Sequence, residues 1–167
     1  MNINGEIPFC NIRIDKEGVW YYKGSEMFRK EIVNFFYQNL RQDASGHYLI
    51  ELENDRCYLD VEDTAFVIRS VRQALSEKDG KTVFDLLLSD DTINVLDPAT
   101  LRIGTGNVLY CCVKNNRFAA RFLRSAYYQL AGHIEYDEDQ DKYFIPLDTE
   151  RYYIRDENNR HIHQREA

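Results

Sequence analysis

Three arginines and a short aromatic run are the residues of this 167-residue chain best suited to hold a ligand. Arg29, Arg56 and Arg151 each offer a planar guanidinium fork that suits bidentate contact with phosphate or carboxylate. Arg29 stands out further, because a cation in the first turn of a helix is poorly placed for the helix dipole and needs another reason to be there. Trp20, Tyr21 and Tyr22 follow one another, and faces of this kind stack on bases and other flat groups. Local pairing with Asp55 and Glu150, or plain solvation, also accounts for Arg56 and Arg151, and a core role also accounts for Trp20 and Tyr22. Asp60, Glu62 and Asp63 form an acidic cluster that could hold a hard cation or act as acid and base. On a strand only Asp60 and Glu62 share a face, and a solvated edge or turn is the simpler account.

Other reactive residue types are scattered. With no C-x-x-C pair and no secretory context, Cys10, Cys57, Cys111 and Cys112 read as reduced thiols. Cys111 and Cys112 are neighbours on an expected strand, so they point to opposite faces and do not readily chelate one ion. His47 and His133 sit near turns with no metal-ligand spacing around them, and His161 and His163 lie in a polar, charged tail. Gly104-Thr105-Gly106 lacks the lysine and spacing of a phosphate-binding loop and reads as a tight connection. No G-x-S-x-G, H-E-x-x-H or Cys-His spacing is present, so the sequence assigns no catalytic residue, metal ligand or cofactor. The reading leans away from an enzyme.

Charge narrows the partners. Twenty-one Lys and Arg against 28 Asp and Glu give a net charge of −7, which repels nucleic-acid phosphates and anionic membrane surfaces. A membrane span needs about 18 apolar residues in a row, and the best run here covers only 108–113. Glu6, Asp15, Lys16 and Glu17 interrupt the opening segment, so no secretory signal is read and a cytoplasmic protein is expected.

Hydrophobic spacing sets out the elements that must position these residues. Alternating apolar residues over 10–14 and 19–22 flank a Gly-bearing loop and predict a hairpin. Ser25 can cap a helix and Glu26 suits its positive end, and over 27–40 Phe28, Ile32, Phe36 and Leu40 form one apolar stripe. A second hairpin runs through 48–52, turns at Glu53-Asn54-Asp55 and returns through Tyr58 and Val61. Strands follow over 65–75 and 82–88 around the Asp79-Gly80 turn, with short ones near 92–96 and 101–103.

A repeat is the most informative pattern. A shift of 95 pairs Tyr48 with Tyr143, Ile50 with Ile145, Leu52 with Leu147, Arg56 with Arg151 and Tyr58 with Tyr153. A shift of 90 pairs Phe28 with Phe118, Ile32 with Phe122, Tyr37 with Tyr127 and Leu40 with Leu130, predicting a second helix on the same stripe. Aromatic strands precede both helices. The expected fold is α+β, a strand-helix-strand-strand motif present twice with antiparallel sheets. Residues 1–62 hold the first repeat, 63–155 a β-rich half with the second repeat and one helix, and 156–167 a polar tail.

The string from Gly18 to Arg29 resembles the signature of a bacterial domain-of-unknown-function family, number twelve-eighty-five, through Trp20, Tyr22, Gly24, Met27 and Arg29. The resemblance continues through Ile32-Val33, Phe36, Gly46, Tyr48 and the acidic-then-apolar segment Val61-Glu62-Asp63-Thr64-Ala65-Phe66. It implies a duplicated α+β core, a C-terminal half similar to pleckstrin-homology folds, and a ligand site between the halves. The longer proline-bearing lead of that family is missing, and Leu88-Ser89-Asp90-Asp91-Thr92 replaces a Thr-Asn-x-x-Asp-like stretch. Together these readings lead to a regulatory or signalling protein that binds a small anionic molecule, such as a nucleotide, through Arg29, Arg56, Arg151, Trp20 and Tyr22. Two alternatives stay open: a protein-interaction module using exposed aromatic strands, and an enzyme built on Asp60, Glu62 and Asp63. A homodimer through sheet edges is compatible with the duplication.

Overall fold

The computed structural model of the chain describes residues 5–158. The fold is mixed α+β and mostly strand, and it divides into two compact units, Met1–Phe66 and Val67–Ala167.

The first unit runs β1 (Phe9–Ile14), β2 (Trp20–Tyr22), β3 (Ser25–Glu26), α1 (Lys30–Gln38), β4 (Leu40–Gln42), β5 (Tyr48–Leu52) and β6 (Asp55–Val61). The predicted first hairpin forms because Asp15 closes its turn, accepting the N–H groups of Glu17 and Val19 at 2.9 and 3.0 Å, and Gly18 supplies the positive φ. All six strands make one sheet in the order β3-β2-β1-β6-β5-β4. Its two antiparallel meanders meet where β1 runs parallel to β6. Parallel neighbours need a long crossover, and this one carries α1. The core gathers Ile14, Trp20, Tyr37, Leu40 and Ile50, and the Tyr37 hydroxyl donates to the Ala65 carbonyl at 2.9 Å.

The helix expected from residue 25 starts only at Lys30. Ser25 and Glu26 pair with Tyr22 and Tyr21, and the Met27 N–H donates to the Trp20 carbonyl at 2.8 Å, so the sheet claims these residues first. Phe28 therefore leaves the apolar stripe and is 80% exposed.

The second unit runs β7 (Phe66–Leu75), β8 (Thr82–Leu88), β9 (Ile93–Val95), β10 (Arg102–Ile103), β11 (Leu109–Val113), β12 (Phe118–Phe122), α2 (Arg124–Ala131), β13 (Glu135–Asp137), β14 (Lys142–Leu147), β15 (Glu150–Tyr153) and β16 (Arg155–Asp156). β7 and β8 form the hairpin predicted at Asp79-Gly80. Seven strands order as β16-β10-β11-β12-β7-β8-β9, and β13-β14-β15 make a separate sheet. Among the described residues no helix is long and apolar enough to cross a membrane.

The duplication is visible and larger than the spacing predicts. From β10 onward the second unit repeats the first, and its closing strand β16 again lies parallel to its opening strand β10. The shift of 90 assigned to the helices is corrected: 118–122 is strand, and α2 begins 94 residues after α1, in step with the hairpin that follows. A tyrosine-aspartate pair marks both copies. Tyr58 donates to Asp43 at 3.0 Å and Tyr153 to Asp137 at 2.7 Å, while each aspartate also accepts two turn N–H groups.

These bonds set a pH dependence. The His47 N–H, with Tyr58 and the Ser45 N–H, holds the Asp43 carboxyl below its ordinary 3.8, and Tyr153 with the Gln140 and Asp139 N–H groups does the same for Asp137. Their stabilisation is complete above the ordinary value and is lost as pH falls below it. The same aspartates raise Tyr58 and Tyr153 above 10.0, so that contribution is present below pH 10.0 and lost as pH rises past it. Urea midpoints measured across pH are expected to fall at both ends, and Asp43→Asn with Asp137→Asn should flatten the acid limb.

Candidate functional site

A groove of about 580 Å³ opens in the first unit between one face of its sheet and α1. Buried Ile12 and Ile50 form its floor, Phe36 and Leu52 its walls, and Tyr22, Phe28 and Ile32 its exposed rim. Glu26 and Arg29 are the charged residues of the lining. The early commitment of residues 25–27 to the sheet makes this opening. Had the helix begun at Ser25, Phe28 would pack inward on the stripe; instead Met27, Phe28 and Arg29 precede the helix and line the groove.

Arg29 is the N-cap of α1, with φ −79° and ψ 103°, and no side chain caps the helix. Its carbonyl accepts the N–H groups of Ile32 and Val33 at 3.1 Å. Among the described residues its exposed guanidinium has no ion-pair partner. It therefore adds a free positive charge to the positive end of a helix, an arrangement unfavourable for the helix alone and favourable for an anion held there.

The other predicted site residues fall elsewhere. Tyr22 joins Arg29 in the groove, 47% exposed. Trp20 is 2% exposed, lies nearly parallel to Phe36 at 6.1 Å and meets Tyr37 edge-on at 4.8 Å, so it is core and supports the groove wall from behind. Its indole N–H finds no acceptor among the described residues. Arg56 is exposed opposite Glu51 on the β5-β6 hairpin. Arg151 occupies the matching place in the second unit, where it bridges to Asp137 at 3.4 Å and covers the Phe144 ring at 4.7 Å.

In the acidic cluster, Asp60 and Glu62 are exposed, and Glu62 pairs with Arg13 at 3.2 Å and accepts the Lys16 N–H at 2.9 Å. That is a solvated ion pair. Gly104 packs against Tyr110, where an added Cβ would lie 2.8 Å from the ring, and serves the tight connection expected of it. His47 stands 3.6 Å from Asp43, His133 packs on Phe84, and His161 and His163 lie outside the described residues. No three His, Cys, Asp or Glu among the described residues are grouped to hold a metal ion.

The reading of four reduced thiols is corrected. Cys10 and Cys57 form a disulfide with Cα atoms 5.1 Å apart, and both line the groove. They are 47 residues apart and meet only because β1 and β6 are parallel neighbours, which no local spacing announces. Cys111 and Cys112 are free.

Residues 5–64 match the family model of the N-terminal domain of the domain of unknown function DUF1285. A solved DUF1285 family protein from Silicibacter pomeroyi DSS-3 is 18% identical with a TM-score of 0.71, covering 90% of this chain and 82% of its own. Another from Shewanella baltica OS155 is 17% identical with a TM-score of 0.59, covering 72% and 90% respectively. At such identities the likeness is one of fold. No curated protein is similar to the chain.

Core and site roles separate by stability. Trp20→Ala is expected to cost about 3–5 kcal/mol in urea unfolding followed by circular dichroism, whereas Arg29→Ala should change stability by less than about 0.5 kcal/mol.

Proposed function

We propose that this chain belongs to the DUF1285 family and is a ligand-binding protein of regulatory type, whose N-terminal groove takes a small anion with an apolar body. The observation that carries the reading is an apolar groove whose lining holds Arg29, a cation with no ion-pair partner among the described residues. An alkyl or aryl chain against Ile12, Ile50, Phe36 and Leu52 would gain roughly 0.8 kcal/mol per buried methylene. A carboxylate, sulfate or phosphate at the other end would meet Arg29 and the uncapped helix start. Among small anions this lining favours an amphipathic carboxylate over a nucleotide, whose ribose hydroxyls and several charges need more polar partners than Ser25, Glu26 and Arg29 supply.

A second reading has its own support. Phe9, Phe28 and Phe35 are 75%, 80% and 50% exposed, and exposed aromatics of this kind also suit an apolar segment of a partner protein.

Thermal denaturation with octanoate, decanoate, dodecanoate, the matching alcohols and a set of nucleotides distinguishes these outcomes. The midpoint is expected to rise with alkyl length, and Arg29→Ala should weaken carboxylate binding about tenfold while leaving the alcohols unchanged. A response to nucleotides alone, or equal loss for acids and alcohols, would overturn the reading. No response to any of them would leave the exposed phenylalanines to a protein partner.

A further inference from the structure

We infer that Cys10 and Cys57 are a reversible thiol-disulfide couple whose state sets the rigidity of the groove rim. The inference takes the groove as the functional site but is tested without a ligand. Both cysteines are half-buried and face the groove, so a small thiol reaches the bond from solvent. Accessible disulfides are the labile ones, and structural disulfides resist reduction. Cys111 is the contrast: it is buried, and burial first, then Cys112 and Asp97, push its thiol far above the ordinary value.

The location explains what the bond controls. β1 and β6 pair at Phe9 with Tyr58, then at Arg13 with Asp60 and Ile14 with Val61, so the register slips between Phe9 and Arg13. Residues 10–12 bulge out of the ladder, Asn11 has φ +60°, and the disulfide spans the interrupted stretch. Pro8 accepts the Tyr58 N–H and Ile14 accepts the Glu62 N–H on either side of it. Reduction therefore frees the bulge while the flanking ladder keeps the sheet. The freedom passes to the groove rim, because the Asn11 carbonyl accepts the Lys23 N–H at 2.9 Å and so holds the turn that carries Tyr22 and Ser25.

The exchange partner is a low-molecular-weight thiol of the glutathione class. Its thiolate attacks one sulfur of the Cys10–Cys57 bond, forming a mixed disulfide and releasing the other cysteine as thiolate. A second small thiolate attacks the mixed disulfide and leaves as the small disulfide. Two small thiols are oxidised, the protein bond takes two electrons, and the two released thiolates take up two protons. Oxidation reverses each step.

The full chain is equilibrated in glutathione buffers of graded ratio, its thiols are counted by mass after alkylation in denaturant, and amide hydrogen exchange is followed in each state. Cys10 and Cys57 should titrate together as one two-electron couple. Exchange at Lys23 and residues 10–12 should quicken about tenfold on reduction, with the β5-β6 ladder unchanged. The Cys10→Ser, Cys57→Ser double variant should show the fast pattern in every buffer. A pair that stays oxidised, or never oxidises, across the series overturns the couple. Faster exchange across the whole first unit, or none at Lys23, overturns the switch. Neither result depends on alkyl carboxylates, so a failure of the ligand reading is told apart from a failure of this one.

Discussion

The parallel pairing of β1 with β6 is the constraint on which the first unit depends. It brings the start and the end of the unit side by side, sets Ile12 beneath the helix with Ile50 two strands away, and carries Cys10 to Cys57. The second unit closes in the same way, with β10 beside β16, but seals the junction with charge. Arg102 pairs with Glu157 at 3.1 Å and lies over the Tyr110 ring at 4.3 Å. One topology thus has two closures: an interrupted ladder spanned by sulfur, and a continuous short ladder locked by an arginine.

What the two copies keep and what they change separates structure from function. Both keep the tyrosine-aspartate bond that ties the closing strand to the turn between the two strands that follow the helix. They differ at the helix start. The residue at the N-cap of α2 is Leu123, whose N–H donates to the Ile68 carbonyl, while α1 presents Arg29 to solvent. α2 buries Ala126 and Leu130, whereas α1 leaves Ile32 and Phe35 40% and 50% exposed. The groove with Arg29 in its lining belongs to the first copy, where α1 leaves Ile32 exposed beside it.

Much of this was legible in the residues. Alternation in β1, β2 and β5, the apolar, β-branched start of β8 and the turn chemistry of Asp15 and Gly80 mark strands and hairpins locally, because side-chain period and φ preference act over a few residues. The paired Arg56 and Arg151 and the paired tyrosines expose the duplication. Helix starts were less legible: Ser25 and Glu26 are good first-turn residues, yet their strand bonds to Tyr22 and Tyr21 prevail, since capping is worth less than completing a sheet edge over a buried Trp20. Arg29 and Tyr22 could be named as candidates from type and position, and both line the groove. The apolar groove and the Cys10–Cys57 bond could not, because both arise from strands that lie far apart in the chain and meet by topology.

The groove of the first unit, with Arg29 in its lining, is the proposed binding place of a small amphipathic anion. Methyl and amide NMR shifts recorded while decanoate is titrated into the protein test it most directly. The account predicts saturable shifts at Ile12, Ile32, Ile50 and Leu52 and at the Arg29 side chain, with the Asp60 to Asp63 segment and the second unit unmoved. Shifts centred on that acidic segment or on the second unit, or groove methyls unmoved at saturation, would contradict it.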